Sequence, residues 1–121
     1  MTSGLLARAE ELLQSGAPAG AGNSARLAAF LARQEVESLI DARCREVTGA
    51  DVTGATMKAR IAVLRALDET ATGRVLAAAW YELSGYCHQH AYELSPAASQ
   101  VRGVVAAVIE VSASPAPEPR P

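Results

Sequence analysis

Aromatic residues are scarce: one Trp, three Tyr and one Phe make up 4% of the 121-residue chain. A core with so few rings has to be closed by small aliphatic side chains. Abundant alanine, leucine and valine then favour closely packed helices over a β-sandwich. Cysteine is also rare. Cys44 and Cys87 are too few for a disulfide scaffold and match no zinc spacing, so they are expected as free thiols in a reducing cytoplasm. Of the 11 basic residues only Lys58 is a lysine, a bias read as genomic base composition. No run approaches the ~18 apolar residues that would span a membrane. The opening "MTSGLLARAEELL" lacks the basic start and apolar run of a secretory signal. A cytoplasmic protein without a membrane partner is the expectation.

What is present is enough for one core. Half the residues are hydrophobic, and the length suits a single domain. Net charge −2 and a pI near 5.6 give no broad basic footprint, which argues against duplex DNA as a partner.

Five segments carry helical periodicity. The first, near Ser3 to Gln14, places Leu5, Leu6, Ala9, Leu12 and Leu13 on one stripe. "SGAPAGAGN" breaks it, and Asn23 or Ser24 can cap the next helix. That second helix, about Ser24 to Val47, should bury Leu27, Ala28 and Leu31, then Val36, Leu39, Ile40 and Cys44. Its apolar face drifts around the axis, so it is expected at the centre of a bundle or at a subunit contact.

A third helix is expected over about Ala55 to Leu67, with Met57, Ile61 and Leu64 inward and Lys58 and Arg65 outward. A fourth spans about Arg74 to Leu94 after a cap at Thr70 or Thr72. Ser95 and Pro96 are a restart signal. The fifth segment holds Val101, Val104, Val105 and Val108 at helical spacing, which outweighs the β-propensity of valine. The expected fold is an all-α, up-and-down bundle of four or five helices in one domain over residues 1–111. The proline-rich end, residues 112–121, is expected to be disordered.

Chemistry concentrates in "YELSGYCHQHAYEL", Tyr81 to Leu94, which holds both histidines and all three tyrosines. At 100° per residue, Leu76, Ala79, Leu83, Cys87, His90 and Leu94 share the core side, so His90 reads as a satisfied core histidine. Arg74, Tyr81, His88 and Tyr92 fall on another side. Such a row suits a homodimer interface or a cleft that stacks and holds a nucleotide or a single RNA strand. Cys87 and His90 could supply half a metal site, but His88 points elsewhere, so neither a metal nor another cofactor is expected. The pairs Glu10–Glu11 and Glu35–Glu37 read as solvated helix faces, and no phosphate-binding glycine loop, GxSxG or HExxH is present.

The run Ala28, Ala29, Phe30, Leu31, Ala32, Arg33, Gln34 lies within "ARLAAFLARQEVESLIDA". Followed by a short helix and a long histidine-bearing one, it resembles the HEPN superfamily over roughly residues 3 to 110. "YCHQHAYEL" is similar to a segment of small actinobacterial proteins of that type. The resemblance implies a four- or five-helix bundle that dimerises through the face bearing its functional motif. Many relatives are metal-independent ribonucleases in toxin–antitoxin pairs, phage defence or RNA processing. Their signature is an arginine, four to six residues, then a histidine.

This chain departs from that signature. Tyr81, Glu82 and Leu83 stand at those distances before His88; Leu83, Ser84 and Gly85 stand before His90. The nearest preceding arginine, Arg74, is about 20 Å from His88 along a helix, leaving Arg60 or Arg65 of the third helix as substitutes. The expectation is a HEPN-like nucleotide- or RNA-binding accessory module in a defence or toxin–antitoxin-like system, with a cognate partner protein conceivable. The alternatives are a ribonuclease with a rearranged site on His88, the one catalytic candidate, or an adaptor that binds protein through Tyr81 and Tyr92.

Overall fold

The computed structural model describes residues 4–15, 21–52, 54–87 and 98–113, and these form five helices: α1 (Gly4–Ser15), α2 (Ala21–Thr48), α3 (Met57–Leu67), α4 (Ala71–Cys87) and α5 (Ala98–Ala113). The fold is an all-α helical bundle. Two expected boundaries fall outside the described residues: the C-terminal end of the fourth helix at Leu94 and the Ser95–Pro96 restart. The end of the chain beyond Ala113 does too. α5 itself runs through Ala113, two residues past the expected domain limit.

The long second helix is the hub. α2 packs against each of α1, α3, α4 and α5, and α5 closes on α1 and α4. This is the central position its drifting apolar face implied. The buried residues step from Ala25, Ala28, Ala29 and Ala32 to Val36, Ile40 and Cys44, mostly at intervals of four. Each such step turns the face by about 40° at 100° per residue. The early part of this face is alanine, which lets Leu6, Ala9 and Leu13 of α1 sit in the shared core cluster.

Leu27 corrects the sequence expectation. It is 47% exposed, because it lies nearly opposite Ala29 and Val36 around the helix. Alanines rather than the leucine fill the first contact. α2 also begins at Ala21, so Asn23 and Ser24 lie inside its first turn instead of ahead of it. Its end is legible: Gly49 has φ +69°, and its N–H donates to the Arg45 carbonyl at 2.8 Å. Glycine adopts that left-handed cap without steric cost.

α3 starts at Thr56, whose Oγ1 accepts from the Ala59 N–H at 3.1 Å. Ile61 and Leu64 are buried, and Lys58 and Arg65 are exposed as expected. Asp68 then performs three tasks. Its N–H donates to the Leu64 carbonyl and ends α3. Its carboxylate accepts from the N–H and Oγ1 of Thr70 at 2.9 and 2.7 Å. The same carboxylate takes two bonds from Arg43 of α2, through Nε and Nη2, both at 2.9 Å. Thr70 Oγ1 in turn accepts from the Thr72 N–H, so α4 starts at Ala71, three residues before the expected Arg74.

Gly73 makes this latch possible. A Cβ there would lie 2.8 Å from Asp68 Oδ2 and 3.2 Å from Asp68 Cβ. Alanine in a helix normally gains about 0.5–1 kcal/mol over glycine. Here Arg43 pins the carboxylate, so Gly73→Ala is expected to destabilise the fold by about 1–3 kcal/mol instead. A urea titration decides the sign; a stabilised variant would mean that Asp68 yields freely.

α5 settles the valine-rich segment as helix, with Val101, Val104, Val105 and Val108 all buried. Arg102 reaches across to the Leu13 carbonyl in the last turn of α1 at 3.2 Å, where a cation meets the negative end of the helix dipole.

Candidate functional site

The residue pairs joining α2 and α4 show that the two run antiparallel: Arg33 meets Trp80, while Arg43 meets Thr70. Facing α4, Arg33 and Glu37 stand one turn apart and form an ion pair at 3.4 Å. Trp80, in the middle of α4, is buried. Its indole N–H donates to Glu37 Oε2 at 2.9 Å. The Arg33 guanidinium carbon lies 5.6 Å from the indole centroid, within cation–π range.

The next residue turns by 100° and emerges. Tyr81 is 43% exposed, and its ring meets Trp80 edge-on, with centroids 5.1 Å apart and planes at 77°, a favourable aromatic geometry. On its other flank the Arg65 guanidinium carbon of α3 stands 5.9 Å from the Tyr81 centroid. Guanidinium and ring thus run across three helices in the order Arg65, Tyr81, Trp80, Arg33.

Of the row expected to bind or dimerise, the structure places two members. Arg74 and Tyr81 are both exposed on α4, seven residues and about 10 Å apart on nearly the same side. His88 and Tyr92 lie outside the described residues, as does His90. Cys87 is half-buried and packs at the margin of the core. Burial raises its thiol pKa, while Arg33 opposes this through its charge and a hydrogen bond. Cys44 is buried in the centre and donates to the Arg60 carbonyl at 3.3 Å; burial pushes its thiol pKa up as well. Both cysteines are free.

Tyr86 Oη donates to Glu82 at 2.8 Å. Burial first, then the bond and charge of Glu82, push its hydroxyl up to about 12. Among the described residues, no three His, Cys, Asp or Glu side chains gather where they could hold a metal ion. No described helix is long and apolar enough to cross a membrane.

Sequence reasoning missed Trp80 and misread Glu37. Glu37 belongs not to a solvated face but to a contact with the indole of α4. One signal is present in the sequence: Arg33 and Glu37 stand four apart, beside Ala29 and Val36 of the core stripe, where charges facing water are out of place. Arg33 otherwise stands out only as part of the HEPN-like run.

The architecture defines the class, an all-α helical bundle with an arginine–aromatic ladder at its α2–α3–α4 junction. No family model, curated protein or solved structure matches the chain.

Proposed function

We propose that this chain is a non-catalytic binding module for a nucleotide or a single RNA strand, engaged through Tyr81 with Arg65 and Arg74. The observation that carries this reading is the exposed Tyr81 ring with the Arg65 guanidinium beside it. Aromatic rings stack bases of any sequence, and flanking arginines hold phosphate. Trp80 holds that ring from behind, so the platform needs little ordering when a ligand arrives.

Binding is favoured over turnover by the state of the nearby groups. Burial holds both thiols in the protonated form, and a protonated thiol is a poor nucleophile. The Glu37 carboxylate is committed to the Trp80 indole and to Arg33. An accessory role in a defence or toxin–antitoxin-like system is the setting that the HEPN resemblance supplies for such a module.

The only tryptophan sits 5.1 Å from Tyr81, so intrinsic fluorescence reads the site directly. Titration with oligouridine and with ATP at low salt is expected to shift Trp80 emission. Tyr81→Ala should weaken binding by about 1–3 kcal/mol, the worth of one stacked base. Arg65→Ala should lower the slope of log affinity against log salt by about one. Saturable emission changes that survive Tyr81→Ala would place the ligand elsewhere. Cleavage of single-stranded RNA in EDTA, lost in His88→Ala, would replace this reading with the ribonuclease one.

A further inference from the structure

Among the described residues two aromatic side chains are exposed, Phe30 of α2 at 48% and Tyr81 of α4 at 43%. Both emerge on one surface. Phe30, Glu37 and Asp41 stand seven and four residues apart, so they share one stripe of α2. Further along, that stripe is covered: Glu37 meets the Trp80 indole of α4, and Asp41 faces Arg60 of α3 at 3.9 Å. α3 has only 11 residues against the 28 of α2, and Phe30 is left half exposed. Tyr81 leaves α4 on the same side, toward Arg65 of α3. The antiparallel pairing of α2 and α4 fixes the height of the two rings. From the level where Arg33 meets Trp80, Phe30 lies three residues back along α2 and Tyr81 one residue on along α4, which is the same direction in space. The two positions are thus level to about 3 Å and lie one helix-packing distance apart, about 8–10 Å.

We propose that Phe30 is a second base platform, so that the ligand is a single RNA strand laying bases on both rings rather than a lone nucleotide. This rests on the reading of Tyr81 as a base platform and names which of its two ligand classes the surface takes. One base covers one ring. Two rings a helix spacing apart call for two bases splayed from one backbone, the way single strands are read on aromatic side chains. Charge placement supports the same arrangement. The exposed residues of α2 between Ala25 and Ile40 are Leu27, Phe30, Gln34 and Ser38, and none is charged. The exposed cations stand on the other flank, Arg65 beside the Tyr81 ring and Arg74 two turns before it on α4. A strand would therefore run its phosphates along α3 and α4 and turn a base toward α2. Gln34, one turn after Phe30, offers an amide donor and acceptor on that side.

The test is calorimetric titration of the full chain with uridine 5′-phosphate and with a longer oligouridine, in EDTA at low salt. Affinity is expected to rise about tenfold or more from the mononucleotide to the oligouridine. Phe30→Ala should lower oligouridine affinity about five- to a hundredfold, the worth of one stacked base, and leave mononucleotide binding unchanged; Tyr81→Ala should weaken both. Phe30→Tyr should bind as wild type does. Phe30→Leu, which keeps apolar bulk without a ring face, should behave as Phe30→Ala. An unchanged far-ultraviolet CD spectrum verifies the fold of each variant. Oligouridine binding that depends on Tyr81 but not on Phe30 would overturn this inference and leave the Tyr81 reading standing, and so would equal affinity for the mononucleotide and the oligouridine. Binding of neither would overturn both and leave the exposed rings to a protein partner.

Discussion

Replacing Asp68 with alanine is expected to cost about 3–5 kcal/mol of folding stability, the usual range for stranding one partner of a buried ion pair. The Asp68 side chain is fully buried and that of Arg43 is 19% exposed. The variant would leave the Arg43 guanidinium with Glu46, at 2.7 Å on the solvent side, and Thr70 Oγ1 at 3.3 Å. It would also remove the acceptor for the Thr70 N–H that leads into α4. Three elements lose their common tie at once, because α2, the end of α3 and the start of α4 all meet at this carboxylate. Arg43→Ala should cost a similar amount, and the double variant far less than the sum of the two, since the pair acts as a unit. Urea titrations at one fixed protein concentration provide the cycle; a loss under about 1 kcal/mol for Asp68→Ala would mean the latch is replaceable.

Acid supplies an independent reading of the same contact. Hydrogen bonds from Arg43 hold the Asp68 carboxyl far below the usual carboxylate range, with burial pulling the other way and Thr70 adding to the depression. A depressed acid contributes stability that is complete above the unfolded pKa, about 3.9 for aspartate. That contribution shrinks as pH falls from there toward the folded value, because the unfolded chain then binds the proton more readily. The stability gap between wild type and Asp68→Asn is therefore expected to be flat from neutrality to about pH 5 and to narrow below it.

The helices are readable from period and punctuation, and the errors fall where a single residue's neighbours decide. Val101, Val104, Val105 and Val108 repeat at helical spacing, and that pattern overrides the β-propensity of valine. Leu27 fails for the opposite reason. Hydrophobicity alone ranks a leucine above an alanine, yet close helix approach favours Ala25, Ala28, Ala29 and Ala32, which are almost wholly buried and turn Leu27 outward. The Asp68 latch spans 25 residues to Arg43, and no local pattern pairs them. Tyr81 and Arg74 are legible because a row on one helix is a local pattern. Arg65 and Arg33 reach that row from other helices, so their place on the rings depends on how α2, α3 and α4 dock.

The second large effect concerns the other end of the same α2–α4 contact. Trp80→Ala is expected to cost about 3–5 kcal/mol, the range for emptying a large aromatic site in a packed core. The loss is compound. The indole fills the space between α2 and α4, its N–H satisfies Glu37 at 2.9 Å, and its ring receives Arg33. Trp80→Phe separates these parts by keeping a ring and removing the donor. A hydrogen bond to a charged acceptor is worth about 1.5–3 kcal/mol, but Glu37 is only partly buried and keeps Arg33 at 3.4 Å, so the lower end of that range is expected. Glu37→Gln in the Trp80→Phe background should then cost only what the Arg33 ion pair is worth, about 0.3–0.5 kcal/mol for an i,i+4 pair, because the indole bond is already gone. Stability from far-ultraviolet CD, which does not need the tryptophan, measures all three. If Trp80→Phe proves as costly as Trp80→Ala, the donor rather than the packed ring holds α4 to α2. Tyr81, packed edge-on against Trp80, should follow its neighbour: Trp80→Phe preserves the platform for a base, and Trp80→Ala removes its support.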